Sequence, residues 1–328
     1  MAFQVSPGVQ VKEVDLTNVV PAVSSTTGAF AGSFQWGPVD EVKTVSDTKG
    51  LVDEFYEPAN TNAGAEDFYS SEAFLRYGSS LRVVRINTTG LFSANSGGSS
   101  SSLLKNHEEY VQSYESGALG GTVGKWIARC PGVLGNSLKV SVCASSDAYY
   151  NDAATTTGAE EAAGQTVITL TSGGGALVQV RDIITFGSTT QQYRVTAINT
   201  NDITIEALGQ PTGTGLVETH SNGTAVNRYW EFYASFDKAP GKSASATTAG
   251  GTTDEIHVVV VDEDGAITGV PHSMLETYGF VSLASDAKDS SGESNYYRNV
   301  IGNSSEWVLS LIHISEPTRR YAISYAVF

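Results

Sequence analysis

The sequence predicts an α+β protein, a mixed sheet with helices, carrying an inserted small antiparallel all-β module and an extended N-terminal arm. Three observations predict it. Between Gly28 and Ile86, strand-like and helix-like patterns follow one another with short connections. Between Thr166 and Gly209, short β-prone runs are separated by Gly- or Asn-containing turns, the spacing of a small antiparallel barrel or sandwich. Ahead of both, residues 9–16 form a β-prone run set between Pro7-Gly8 and Pro21.

The elements follow in order. In the N-terminal arm, residues 1–25, Val9, Val11 and Leu16 need a partner sheet, because a lone terminal strand leaves its backbone groups unpaired. The residues alone leave the readings open: a strand added to another sheet, an edge strand on its own domain, or a frayed end. Residues 27–38 read as a strand of alternating large and small residues stopped by Gly37-Pro38. Residues 41–45 read as a second strand. Ser46 stands as the N-cap of a helix whose apolar face is Leu51, Val52 and Phe55, with Pro58 ending it. A second helix over 66–77 carries Phe68, Tyr69, Ala73, Phe74 and Tyr77 near helical spacing, and Gly78 sits at its C-terminal cap. Residues 81–86 are a dense β-former run, a buried strand.

Residues 93–102 are a polar Ser/Gly loop. Residues 126–129 and 137–142 read as strands expected to join the sheet containing 81–86. Residues 147–164, rich in Ala, Thr and Gly, mark a boundary, and the strands of the module follow at 166–170, 183–186, 192–198 and 202–206. The chain returns to the body over 210–227. Residues 229–236 are an aromatic β-prone run, and 256–261 is the most strongly β-prone strand of the chain. It leads into Asp264-Gly265, a hairpin turn before residues 266–270, then to a segment over 275–283 that extends the sheet and a short helix over 296–301. The resulting division is an arm (1–25), a discontinuous body (26–146 with 222–308), a protruding module with its linkers (147–221), and a separate tail (309–328).

With 19 basic against 35 acidic residues, a net charge of −16, the chain is a poor match for nucleic acid or an anionic membrane, both of which reward basic patches. No basic-then-apolar leader and no long apolar run is present. Cys130 and Cys143 are too few for a disulfide framework and read as buried free thiols. No motif assembles a catalytic or metal centre. Asn106-His107-Glu108-Glu109 offers one imidazole and two adjacent carboxylates, which do not surround an ion and suit a short solvated helix or strand. Asp262 and Asp264 lack the further ligands of a calcium loop. Gly173-Gly174-Gly175 lacks the helix and the Lys-Ser/Thr pair of a phosphate loop. His257 is an isolated imidazole in a strand, and no Gly-x-Ser-x-Gly elbow exists. The expectation is a protein that is not an enzyme and uses no cofactor.

Three segments carry a family resemblance: Ser6-Pro7-Gly8-Val9-Gln10-Val11-Lys12-Glu13, Phe34-Gln35-Trp36-Gly37-Pro38, and Phe74-Leu75-Arg76-Tyr77-Gly78-Ser79-Ser80-Leu81-Arg82-Val83-Val84-Arg85. In order and spacing they resemble the tail sheath proteins of contractile-tailed bacteriophages, the T-even-like and cyanophage-like branch. The resemblance resumes at 127–140 and again from Trp230 to about Trp307, while the middle matches nothing. It implies a structural subunit of the virion tail, assembled in the host cytoplasm as stacked hexameric rings. Its implied partners are other sheath subunits, the tail tube protein, the baseplate and the tail terminator. It also implies that the arm, with Val5, Pro7, Gly8, Val9, Val11, Val14 and Leu16, adds a strand to a neighbouring subunit's sheet. Contraction then follows from a difference in interface free energy between two packings, without nucleotide or metal.

Residues 309–319 resemble the translation of a transposase-type sequencing adapter, and 323–328 its translated end, so the natural sequence is expected to stop matching near Val308. On that reading the chain is the first half of a sheath protein whose C-terminal domain is missing. Two other readings stay open: the sheath of a phage-derived injection particle without a genome, and an extracellular carbohydrate-binding adhesin suggested by the acidic, Ser/Thr/Gly-rich composition.

Overall fold

A computed structural model describes residues 27–58, 62–97, 102–114, 123–311 and 320–322. Its first unit is a three-stranded sheet of β1 (Thr27–Gly32), β2 (Val42–Val45) and β3 (Ser80–Arg85), with β3 central, parallel to β1 and antiparallel to β2. Helices α1 (Thr48–Phe55) and α2 (Asn62–Leu75) supply its core, in which Leu51, Phe55, Phe68 and Leu75 meet Phe34, Leu81 and Val83. Strand β1 stops at Gly32, earlier than its alternating pattern suggests. The segment beyond it bends, with Gly37 at φ +99° lying against Phe55. The N-cap of α1 is Asp47, not Ser46: the Asp47 carboxylate accepts the Gly50 N–H at 2.7 Å.

The expected extension of this sheet does not occur. β4 (Trp126–Ala128) pairs with β14 (Val308–Ser310). β5 (Leu138–Cys143) instead enters a second sheet beside β12 (Glu255–Asp262), which pairs in turn with β13 (Ser273–Ser282). β12 is buried on both faces, as its unbroken Val258-Val259-Val260-Val261 run demands. One face packs Val258 and Val260 with Leu138, Val140 and Val142 and with the Tyr297–Ser304 helix. The other packs Val259 and Val261 with Trp230 and Phe232. The outer edge of β5 is paired by β15 (Arg320–Ala322), within the tail that the sequence sets apart.

The inserted module is a six-stranded antiparallel sheet of β6 (Tyr150–Thr156), β7 (Val167–Thr169), β8 (Ile183–Phe186), β9 (Tyr193–Asn199), β10 (Asp202–Ala207) and β11 (Ala225–Tyr229). Its order is β6-β11-β8-β9-β10-β7. A bridge from Thr157 to Leu170, with flanking bonds from Gly158 N–H to Thr169 and Thr171 N–H to Thr156, joins β7 back to β6 and closes the sheet into a barrel. Ile168, Ile184, Phe186, Tyr193, Val195, Ile203 and Val226 fill it. Two of its strands were not legible as such: β6 falls in the stretch read as a boundary, and β11 in the stretch read as body. The aromatic run after β11 is no strand. Trp230 turns the chain, a short 3-10 turn follows at Tyr233–Ser235, and the rings stack around His257.

Candidate assembly site

The arm residues Val5, Pro7, Gly8, Val9, Val11, Val14 and Leu16 lie outside the described residues. The chain enters the described part at β1, and among the described residues no strand pairs with the outer edge of β1 or of β2. Among the described residues both edges thus leave ladder groups free for an added strand. Beside β1 lies α2, locked to the strand's end by Asp67, whose carboxylate accepts Ser33 N–H at 2.6 Å and Ser33 Oγ–H at 2.8 Å. The helix turns Phe68, Ser71 and Leu75 inward. Tyr69, Ala73, Phe74 and Tyr77, expected on the apolar face, are instead exposed, Tyr77 by 94%. Phe74 lies flat across Gly28 and Gly78, where an added Cβ would stand 2.6 and 2.7 Å from its ring. The small residues of β1 thus serve a close approach by a partly exposed aromatic ring.

The unit is fixed to the rest of the body by one buried cation. Arg85 is 2% exposed, at the end of the inward-facing row Leu81, Val83, Arg85. Its Nη1 donates to the Gly37 and Pro131 carbonyls at 2.7 Å each, and its Nη2 donates to Gln35 at 3.4 Å. Burial lowers its pKa to about 10, which leaves it charged at neutral pH. Gly132, at φ +137°, passes so close that a Cβ would meet the Gln35 carbonyl oxygen at 2.7 Å. Sequence segments 34–38, 81–85 and 130–132, far apart in the chain, meet at this guanidinium. The alternation of β3 held the signal, since it places an arginine on a buried face.

The remaining chemical candidates are occupied with structure. Cys130 and Cys143 are buried free thiols, and burial pushes the Cys130 thiol up to about 11 against the opposing pull of Arg85. A thiol so raised is a poor nucleophile. His257 Nδ1 accepts the Phe280 N–H at 3.1 Å, so its Nε2 carries the proton and donates to the Lys238 carbonyl at 2.9 Å. Its ring stacks on Phe236 at 4.1 Å. Asp262, which was weighed as a calcium ligand, accepts from Ser137 Oγ, from Gly265, Ile267 and Thr268 N–H and from Thr268 Oγ, folding the ten-residue β12–β13 connection over itself. Asp264-Gly265 sits inside that connection and is not a two-residue turn. Asn106 caps the short His107–Glu109 helix. Among the described residues no three His, Cys, Asp or Glu side chains group as metal ligands, and no helix is long and apolar enough to cross a membrane.

No family model matches the chain. It is 26% identical over 324 aligned residues to the tail sheath protein of Salmonella phage ViI, a match covering 94% of this chain and 49% of that protein. It is 44% identical over 80 residues to the tail sheath protein of Enterobacteria phage T4, and 33% identical over 96 residues to that of Vibrio phage KVP40. These shorter matches cover 24% and 27% of this chain and 12% and 14% of those proteins. The chain thus has homologues named tail sheath protein in several phages, and it spans about half the length of the first of them.

Proposed function

We propose that this chain is the N-terminal part of a phage tail sheath subunit, a structural protein of the virion tail that works by assembly and not by catalysis. The observation that carries the reading is the similarity to the Salmonella phage tail sheath protein across 94% of the chain. In the full-length protein, subunits stack as hexameric rings around the tail tube, between baseplate and tail terminator. Assembly takes place in the host cytoplasm, and contraction drives the tube through the host envelope. The arm, through Val5, Pro7, Gly8, Val9, Val11, Val14 and Leu16, links subunits by adding a strand to a neighbour's sheet. The open edges of the first sheet and the firm seat of β1 beside α2 are compatible with an arm that leaves this unit under load. The barrel projects as a separate module.

The test is immunogold electron microscopy of particles from the source, with an antibody raised against the barrel. The reading expects label repeated along the tail shaft, and label confined to fibres or capsid would sink it. For the arm, the double substitution Val9→Asp, Val11→Asp in the full-length protein should abolish sheath polymerisation while leaving the monomer folded. Normal polymerisation would remove these residues from the link.

A further inference from the structure

Where the barrel meets the body, a cleft of about 430 Å³ is lined by Lys139, Arg181, Arg194 and His272, with Glu263 as the acid among its lining residues. In a chain of net charge −16 this concentration of cationic groups is out of character. Two of the cations are already matched: Lys139 pairs with Glu263, and Arg181 with Glu231. Arg194 is not. It projects from β9 opposite Glu206 of β10, yet among the described residues its guanidinium makes no ion pair or hydrogen bond, and its buried Nε has no partner. His272 Nδ1, from the β12–β13 connection, is likewise buried without a partner. A buried donor left unpaired costs about 1–3 kcal/mol, and Arg194 Nε, which can only donate, calls for an acceptor in this cleft. Both lips of the cleft are also strained: Arg181 and His272 hold φ of +76° and +63°, conformations that non-glycine residues adopt only when their surroundings impose them. The surrounding charges act on the imidazole in opposite senses. Burial holds it below its ordinary value, Arg181 and Lys139 add to that, and Glu231 and Glu263 oppose it.

We infer that this cleft is an oxyanion-binding site, in which Arg194 of the barrel holds a carboxylate or phosphate-type group against the body residues His272 and Lys139 and so fastens the barrel to the body. The same oxygens can come from a free anion or from an acidic side chain of a second copy, of which this acidic chain offers many. Two measurements separate the sources. For the free anion, inorganic phosphate is titrated against chloride at constant ionic strength and low protein concentration, with thermal unfolding as readout. For the side chain, sedimentation velocity follows self-association over a concentration series. Arg194→Gln removes the unmatched charge from an outward-facing strand position. Arg82→Gln, on an exposed position of β3, is the control. The proposal expects phosphate to raise the unfolding temperature, or the chain to self-associate. In either case Arg194→Gln weakens the apparent affinity at least tenfold and Arg82→Gln leaves it unchanged. A phosphate response equal to chloride together with no Arg194-dependent association overturns it. So does a response that survives Arg194→Gln, provided circular dichroism shows that variant folded.

Discussion

Arg85 holds three carbonyl groups from two loops, and among the described residues it forms no ion pair with a carboxylate. Replacing it by methionine keeps the apolar stem but leaves three buried acceptors without a donor. The expected loss is about 3 kcal/mol, read as a lower urea midpoint, with Arg85→Lys intermediate because a single ammonium cannot span the same fork. The histidines set the pH response. Burial depresses His257 and His220 below the ordinary 6.5, so the unfolded chain binds protons that the folded chain refuses. Stability from these groups is complete above 6.5 and declines as pH falls through and below it. Asp254 and Asp262 add a second decline below 3.8. Burial raises them, but hydrogen bonds led by Ser282 on one and Ser137 on the other outweigh it and hold both low. Urea midpoints from pH 8 to pH 3 should therefore fall in two stages, and a flat profile down to pH 5 would contradict the neutral assignment of His257.

At the scale of elements, the barrel is closed by close backbone approach as much as by pairing. A Cβ on Gly175 would stand 1.7 Å from the Thr200 carbonyl oxygen and 3.2 Å from the Asn201 Cα. Gly175→Ala should cost at least about 3 kcal/mol and lower the barrel's unfolding temperature, measurable by near-ultraviolet circular dichroism. Much of this level was legible in the sequence. Helices α1 and α2, strands β7 to β10, β12 and the final helix follow from local periodicity and turn chemistry, whereas the hairpin expected at Asp264-Gly265 does not form, because β12 pairs with β13 and not with residues 266–270. What escaped was decided by contacts between distant segments. Tyr150-Asn151-Asp152-Ala153-Ala154 has little β propensity, and becomes a strand because β11 pairs with it. Trp126-Ile127-Ala128 reads as a strand but does not reveal whether its neighbour is β3 or β14. The face of α2 was misassigned because Tyr69, Phe74 and Tyr77 share helical spacing with Phe68 yet are left on the outside, where an apolar residue is legible as apolar and not as buried. Arg85 was visible in the strand, but its three acceptors come from loops that no local pattern brings together.

For the whole molecule, the barrel and the body have separate cores, joined by few contacts. Arg181 pairs with Glu231 across the joint, Gln192 Nε2 donates to Tyr233 Oη at 2.6 Å, and the rings of Tyr229 and Tyr233 lie 4.8 Å apart. Separate cores with a narrow joint predict two unfolding transitions in calorimetry. Gln192→Ala, which removes the bond to Tyr233 across the joint, should separate the transitions further. A single cooperative transition in both proteins would show that the joint carries more than these contacts.

The two ends of the barrel leave it side by side. Tyr150 opens β6 and Tyr229 closes β11, the pair stands in register, and their rings lie 4.6 Å apart. The entire excursion therefore begins and ends at one doorway in the body, and its removal leaves a gap that a tight turn can bridge. In genetic terms the barrel is a cassette: it can be deleted, lengthened or exchanged for a foreign domain by two cuts, at codons 149 and 230, without rerouting any strand of the body.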